Sequence, residues 1–232
     1  MDKALQLTMF VAITKHSVGR FISLYDIAEQ LLAMRKVSYG DFTIIKVVPK
    51  CKGRLHTVCN TKQQMGSISL TLRYKDRTSC TYRKANALIF PNTIRIAGGF
   101  PKGIQDEIHE CVNDVPLKEY VGMITDGIRF WTAECLQPDD DVKVVNINAQ
   151  VKKPQISRFT SFCAEKLYLN PKFHRVQLPF VHEYGAICTC HVYPLENSNC
   201  SAKLQPSGAI QYMGFKDIDM LHVFSLMIDD EL

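Results

Sequence analysis

The chain has 232 residues, 46% of them hydrophobic and 22% charged, long enough to bury a core and too apolar for a disordered tract. Its net charge of +5 is unevenly spread: Lys and Arg outnumber Asp and Glu 17 to 9 in residues 1–115, and the order reverses to 11 against 14 in residues 116–232. A basic half suits an anionic partner such as nucleic acid, an acidic half a protein-contacting or solvated surface; the opening MDKALQLTMFVAITK has too short an apolar run for an export or membrane-spanning segment, and nine scattered cysteines suit a reducing, intracellular compartment.

In chain order, Leu7 to Thr14 is a near-continuous apolar run and reads as a buried strand, followed by a polar turn over Ser17 to Arg20. Ser23 is placed to cap a helix from Leu24 to about Met34, with Ile27, Leu31 and Met34 on one face and Asp26 and Glu29 near its positive end. Phe42 to Val48 reads as the next strand. From Lys46 to Lys62 the chain gathers Lys46, Lys50, Lys52, Arg54 and Lys62 around Pro49 and Gly53 with little apolar periodicity. That composition predicts either a mobile basic loop able to reach phosphate oxygens or a plain solvated linker. Ser67 to Tyr74 alternates Ile68, Leu70 and Leu72 with polar residues, the period of a half-buried strand. Thr81 to Phe90 and Thr93 to Gly98 form a hairpin, and Gly103 to Val115 a short helix ended by Pro116.

Gly122 to Leu136 reads as a connector holding the sole tryptophan, Trp131, and leads into an acidic turn at Pro138 to Asp141. Val142 to Val151 is a strand, and Pro154 opens a helix to about Leu167 with Ile156, Phe159 and Leu167 on one face. Strands follow at Arg175 to Val181, Ala186 to Tyr193, Ala202 to Gln205 and Ala209 to Met213. The closing helix, Asp217 to Ile228, is apolar nearly all round and is expected to pack on two sides.

Two stretches match across the halves: NALIFPNTIRIAGGF from Asn86 to Phe100, and SAKLQPSGAIQYMGF from Ser201 to Phe215. Each is a strand, a Pro-containing turn, a second strand and then Gly-Phe before a helix, with Pro91 and Gly99 answered at the same spacing by Pro206 and Gly214. Each half reads as strand, helix, four further strands, helix, so one unit is present twice. Antiparallel hairpins with helices on one face leave the other face of the sheet open as a working surface.

These residues resemble the TATA-box-binding protein family, whose hairpins follow the type T-A-L-I-F-S-S-G-K-M-V-C-T-G-A. Ala87, Leu88, Ile89 and Phe90 with Gly99 are similar to that pattern, as are Ala202, Ser207, Gly208 and Gly214; Asn170 to Phe173 and Lys143 to Asn146 resemble two further family stretches. The diverged, cysteine-rich character looks most like the TATA-box-binding-like proteins of nucleocytoplasmic large DNA viruses. The resemblance implies an α+β fold, a pseudo-two-fold saddle of two such repeats, with a curved antiparallel sheet and helices on its convex face. It places the first repeat at residues 1–121, with a basic insertion at about 46–64, a connector at 122–141 and the second repeat at 142–232. It also implies a transcription initiation factor that binds promoter DNA in an A·T-rich minor groove. A transcription factor B-like protein and a multisubunit RNA polymerase would be its partners. No membrane contact, cofactor, metal or enzymatic activity is implied, and the nucleus, or a viral factory with packaging in the virion, would be its location.

Carried over by position, Leu88 and Phe90 lie on the concave face with Phe90 as the wedge, Ile96 meets the groove floor, and Asn146 hydrogen-bonds in the second half beside Lys143. The matching second-half positions are Lys203, Gln205 and Gln211, all polar, while Leu204, Ile210 and Tyr212 alternate toward the helices. That loss of wedges implies a grip leaning on phosphate contacts, with Lys46, Lys50, Lys52 and Arg54 as candidates. One conflict is visible: the same register would turn Arg95 into the core, whereas a slip of one residue would make Ile96 core instead. An ordinary core phenylalanine at position 90 and a turn or edge asparagine at 146 are the bland alternatives.

Other chemistry fits less well. Cys51, His56 and Cys59, or Cys188, Cys190, His191 and Cys200, lack the paired spacing of a structural zinc site. A cysteine nucleophile with His182 or His191 has no glycine-rich oxyanion turn, and no phosphate-cradling loop is present. The acidic run Asp106, Glu107, Glu110 and Asp114 suits a basic protein partner. A second reading is therefore a protein-recruiting scaffold of the same fold with little DNA binding of its own.

Overall fold

The computed structural model describes residues 5–19, 22–58, 64–111, 113–152, 167–177, 190–194, 199–205 and 207–232, with residues 54–57 and 111 through the backbone alone. The chain divides into two compact units, residues 10–144 and residues 1–9 together with 145–232. Strand β1 (Gln6–Val18) and strand β8 (Leu136–Lys152) each contribute to both. Each unit is an antiparallel sheet with helical structure packed on one side, an α+β arrangement. No helix among the described residues is long and apolar enough to cross a membrane.

In residues 10–144 the strands run in the order β2 (Ser38–Tyr39), β3 (Phe42–Cys51), β5 (Met65–Asp76), β6 (Thr81–Ile89), β7 (Thr93–Gly98) and β1, with β4 (Arg54–Val58) pairing to β3. Alternation sends Phe10, Ala12, Ile44, Val47, Ile68, Leu70, Leu72, Ala85, Ala87, Ile89, Ile94 and Ile96 to one side, all buried. Among the described residues three helices belong to this unit: α1 (Leu24–Ala33), α2 (Lys102–Cys111) and α3 (Val115–Trp131). Tyr120 of α3 is the keystone, its ring 6.0 Å from Phe10, 5.7 Å from Phe42 and 5.4 Å from Tyr74. Burial of such rings stabilises by about 1.5–3 kcal/mol each, and it pushes the Tyr120 phenol well above its ordinary pKa.

Local chemistry fixes the ends of these elements. Ser23 caps α1, as the sequence suggests, and Asp26 returns the bond to complete a reciprocal capping box. Asp76, 1% exposed, ties the β5–β6 turn to the start of α2: it accepts hydrogen bonds from the backbone N–H groups of Lys102, Thr78 and Ser79 and from the Ser79 hydroxyl. Pro116 does not end a helix. It sits in the first turn of α3, where its missing N–H has no partner to lose, so the expected connector from Gly122 as far as Trp131 belongs to a 17-residue helix that starts at Val115.

The expected loop at 46–62 is also corrected over much of its length. Lys46 to Cys51 continue β3, and a turn at Gly53, with φ +69°, leads into β4. Lys46, Val48 and Lys50 alternate with Val47 and Pro49, and their partners across β5 are Thr71, Ser69 and Ser67. Charge masked a two-residue period. Lys62 and Cys59 lie outside the described residues.

In residues 1–9 and 145–232 the order is β8, β12 (Ala209–Phe215), β11 (Ser201–Leu204), β10 (Cys190–Tyr193) and β9 (Arg175–Gln177). The Thr8 hydroxyl donates to the Asn148 carbonyl, and Gln150 Nε2 to Gln6 Oε1. The buried side holds Leu7, Ile147, Ala149, Val151, Cys190, Val192, Ala202, Leu204, Ile210, Tyr212 and Phe215. Helix α4 (Ile218–Glu231) packs there, with Phe224 5.7 Å from Phe215 and 6.2 Å from Tyr212. Among the described residues α4 is covered on one face only, since Val223 and Leu226 stay exposed. The expected helix from Pro154 lies outside the described residues up to its last residue, Leu167.

Candidate nucleic-acid interface

The repeated hairpins are both present, β6–β7 before α2 and β11–β12 before α4, and both Gly-Phe phenylalanines, Phe100 and Phe215, are buried. The connecting turns differ by a residue. Phe90 N–H donates to the Thr93 carbonyl across Pro91 and Asn92, whereas Gln205 N–H donates to the Ala209 carbonyl, one position further along the chain. Leu88 therefore faces Arg95, while Lys203 faces Gln211. An ungapped match pairs Ile96 with Gln211; the observed registers pair Arg95 with Gln211 and Ile96 with Tyr212.

That resolves the register conflict. Ile96 is fully buried, as is Tyr212, so Ile96 is a core residue and not a groove contact, and Arg95 is exposed on the opposite side. Leu88 and Phe90 are half-buried and share by alternation the side opposite to buried Ala87 and Ile89. The Phe90 turn is held from β1, where His16 Nε2–H donates to the Phe90 carbonyl at 2.7 Å and His16 N–H to the Asn92 carbonyl.

In residues 10–144 the side of β1, β3, β5, β6 and β7 turned away from the helices is strongly basic. Lys46, Thr71, Asn86, Ala97 and Val11 stand in one cross-strand row, and Val48, Ser69, Leu88, Arg95 and Ile13 in the next. Arg73 pairs with Lys84, Lys75 with Tyr82, and Lys15 with Thr93. Among the described residues this side of β1, β3, β5, β6 and β7 carries Lys15, Lys46, Lys50, Arg73, Lys75, Lys84 and Arg95 and no carboxylate. The Arg73 guanidinium lies 4.7 Å from the centre of the exposed Tyr82 ring, a cation–π pair in the open. Lys52 is exposed at the β3–β4 turn, and Arg54 opens β4 opposite Cys51; the Arg54 side chain is outside the described residues. Sequence inspection picked out Lys46, Lys50 and Lys52 but missed Arg73, Lys84 and Arg95, which only the strand period could have gathered.

The other unit presents a polar side instead. Lys203, Gln205 and Gln211 are half-buried there. Asn146 and Asn148 alternate with buried Ile147 and Ala149, and Asn148 Oδ1 accepts from Gly214 N–H at 3.1 Å. Gly214 sits at an irregularity of β12 with φ +80°, and a Cβ there would stand 2.3 Å from the Asn199 carbonyl oxygen. Only glycine fits that approach. Lys143, in β8 of residues 10–144, is exposed beside buried Val144. Cys188 and His182 lie outside the described residues, as does the side chain of His56, and no three metal-ligating side chains gather among the described residues.

No family model and no curated protein matches the chain. Among solved structures, one titled Methanococcus jannaschii TBP is similar at 13% identity, covering 99% of this chain and 98% of that chain, with a TM-score of 0.47.

Proposed function

We propose that this protein is a TATA-box-binding-protein-like transcription initiation factor. In this reading it binds promoter DNA in the minor groove and helps to recruit a multisubunit RNA polymerase through a transcription factor B-like partner. It does so without catalysis, in the nucleus or in the cytoplasmic factory of a large DNA virus, and its two units descend from one repeat. The observation that carries the proposal is the acid-free basic side of β1, β3, β5, β6 and β7, with Leu88 and Phe90 among the cations. Seven cations, an apolar tip and, among the described residues of these five strands, no carboxylate on that side suit a polyanion with an apolar floor.

A gel-shift titration of A·T-rich and G·C-rich duplexes at two salt concentrations tests it. The wild type retains duplex at low salt and loses affinity steeply as salt rises. Replacing Arg95→Glu and Lys84→Glu together weakens binding on both sequences and flattens the salt dependence by about one unit of log–log slope for each phosphate no longer neutralised. Absence of any complex at low salt removes the proposal for the isolated chain. The second reading, a recruiting scaffold, draws on the polar Lys203, Gln205 and Gln211 and on the burial of Ile96, which takes one apolar side chain off the open side.

A further inference from the structure

In the unit formed by residues 1–9 and 145–232, register pairs Gln177 with His191, His191 with Lys203, Lys203 with Gln211 and Gln211 with Gln150. At the spacing of neighbouring strands these five side chains form a straight row roughly 19 Å long, on the side opposite to buried Cys190, Val192, Leu204 and Ile210. Gln6 extends it by its hydrogen bond from Gln150. His191 is the row's one group that titrates near neutrality.

We propose that His191 is a binding-linked proton acceptor in this row: when a nucleic-acid phosphate comes onto this side, His191 takes up a proton and becomes a second cation beside Lys203. The inference rests on the DNA-binding reading. The groups facing His191 are Gln177 and Arg175 on β9, Tyr193 on its own strand and Lys203 on β11; β12 presents the neutral Gln211. Arg175 is already engaged 4.1 Å from the centre of the Tyr193 ring, whose hydroxyl donates to Gln177 Oε1. Among the described residues no carboxylate stands on this side of β9 to β12 or of residues 145–152 of β8. The imidazolium thus has a cation for a neighbour and no anion to offset it. Partial burial, and then the Lys203 charge, hold His191 below its usual pKa in the free protein. An arriving phosphate reverses that balance, and linkage requires that an anion which raises the His191 pKa bind more tightly as pH falls.

The test is fluorescence anisotropy of a fluorescein-labelled A·T-rich duplex against the full chain, at constant ionic strength, between about pH 8 and pH 5.5. Wild-type affinity rises by up to about tenfold as pH falls, a change corresponding to one unit of pKa shift on binding, and His191→Gln loses most of that rise. Persistence of the full rise in His191→Gln, or a flat wild-type profile, overturns the proposal. Proton NMR titration of the His191 ring provides the second measurement: its pKa goes up when Lys203→Gln removes the neighbouring cation and up again when duplex is added. A His191 pKa unmoved by saturating duplex overturns it as well. Should neither protein bind duplex at any pH, the DNA-binding reading falls first and this one with it, an outcome distinct from binding without pH dependence.

Discussion

Two residues of one hairpin, Phe90 and Ile96, show how one position of register separates a surface role from a structural one. Ile96 is fully buried and Phe90 half-buried at the tip of its hairpin. Ile96→Ala is expected to lower the unfolding free energy by about 2–5 kcal/mol, with duplex affinity unchanged once the variant is folded. Phe90→Ala is expected to cost about 1 kcal/mol while weakening duplex binding several-fold. Urea unfolding paired with anisotropy checks both, and equal effects on binding would contradict the assignment. The sequence alone held both registers for this hairpin, because the repeat match carries no information about a one-residue difference in turn length. The improbability of a buried Arg95 was the cue that favoured the observed one.

Among the elements, the β5–β6 turn and α2 depend on one carboxylate. Burial by itself would raise the Asp76 pKa, but the three backbone N–H donors and the Ser79 hydroxyl outweigh it and hold the group below the usual carboxylate range. Because the folded value is depressed, this stabilisation is present above the unfolded carboxylate pKa of about 4 and is lost as pH falls through the folded value. Asp76→Asn is expected to cost about 2–3 kcal/mol at neutral pH. The gap to wild type should close on acidification below about pH 4, as read from urea midpoints across pH; a gap constant with pH would mean that the charge is not what ties the turn to the helix.

Much at this scale was legible in advance: the cap of α1, the strand alternation in β5 and the hairpins follow from residue types at fixed spacing. Less legible was β4 with the end of β3, where lysines hid the period, and α3, where Pro116 reads as a stop unless the next turn is known to be helical. The row from Gln177 to Gln150 was out of reach, since it joins strands far apart in the chain whose register is set by packing of the opposite side.

For the molecule as a whole, the division inside β1 and β8 has an energetic corollary. Leu7, 2% exposed, and the hydrogen bonds of Gln6 and Thr8 belong to the unit completed by residues 145–232. A variant lacking residues 1–9 is expected to lose hydrogen-exchange protection in β12 and residues 145–152 by roughly tenfold or more while α3 keeps its own. Uniform loss in both units, or none in residues 145–152, would refute that allocation. Thr8 is synthesised well before its hydrogen-bond partner Asn148, 140 positions further along the chain. During that interval an unpaired edge is on offer to any extended segment nearby, so slow maturation, and rescue by chaperones that shield exposed strand edges, follow from the late arrival of β8 beside β1.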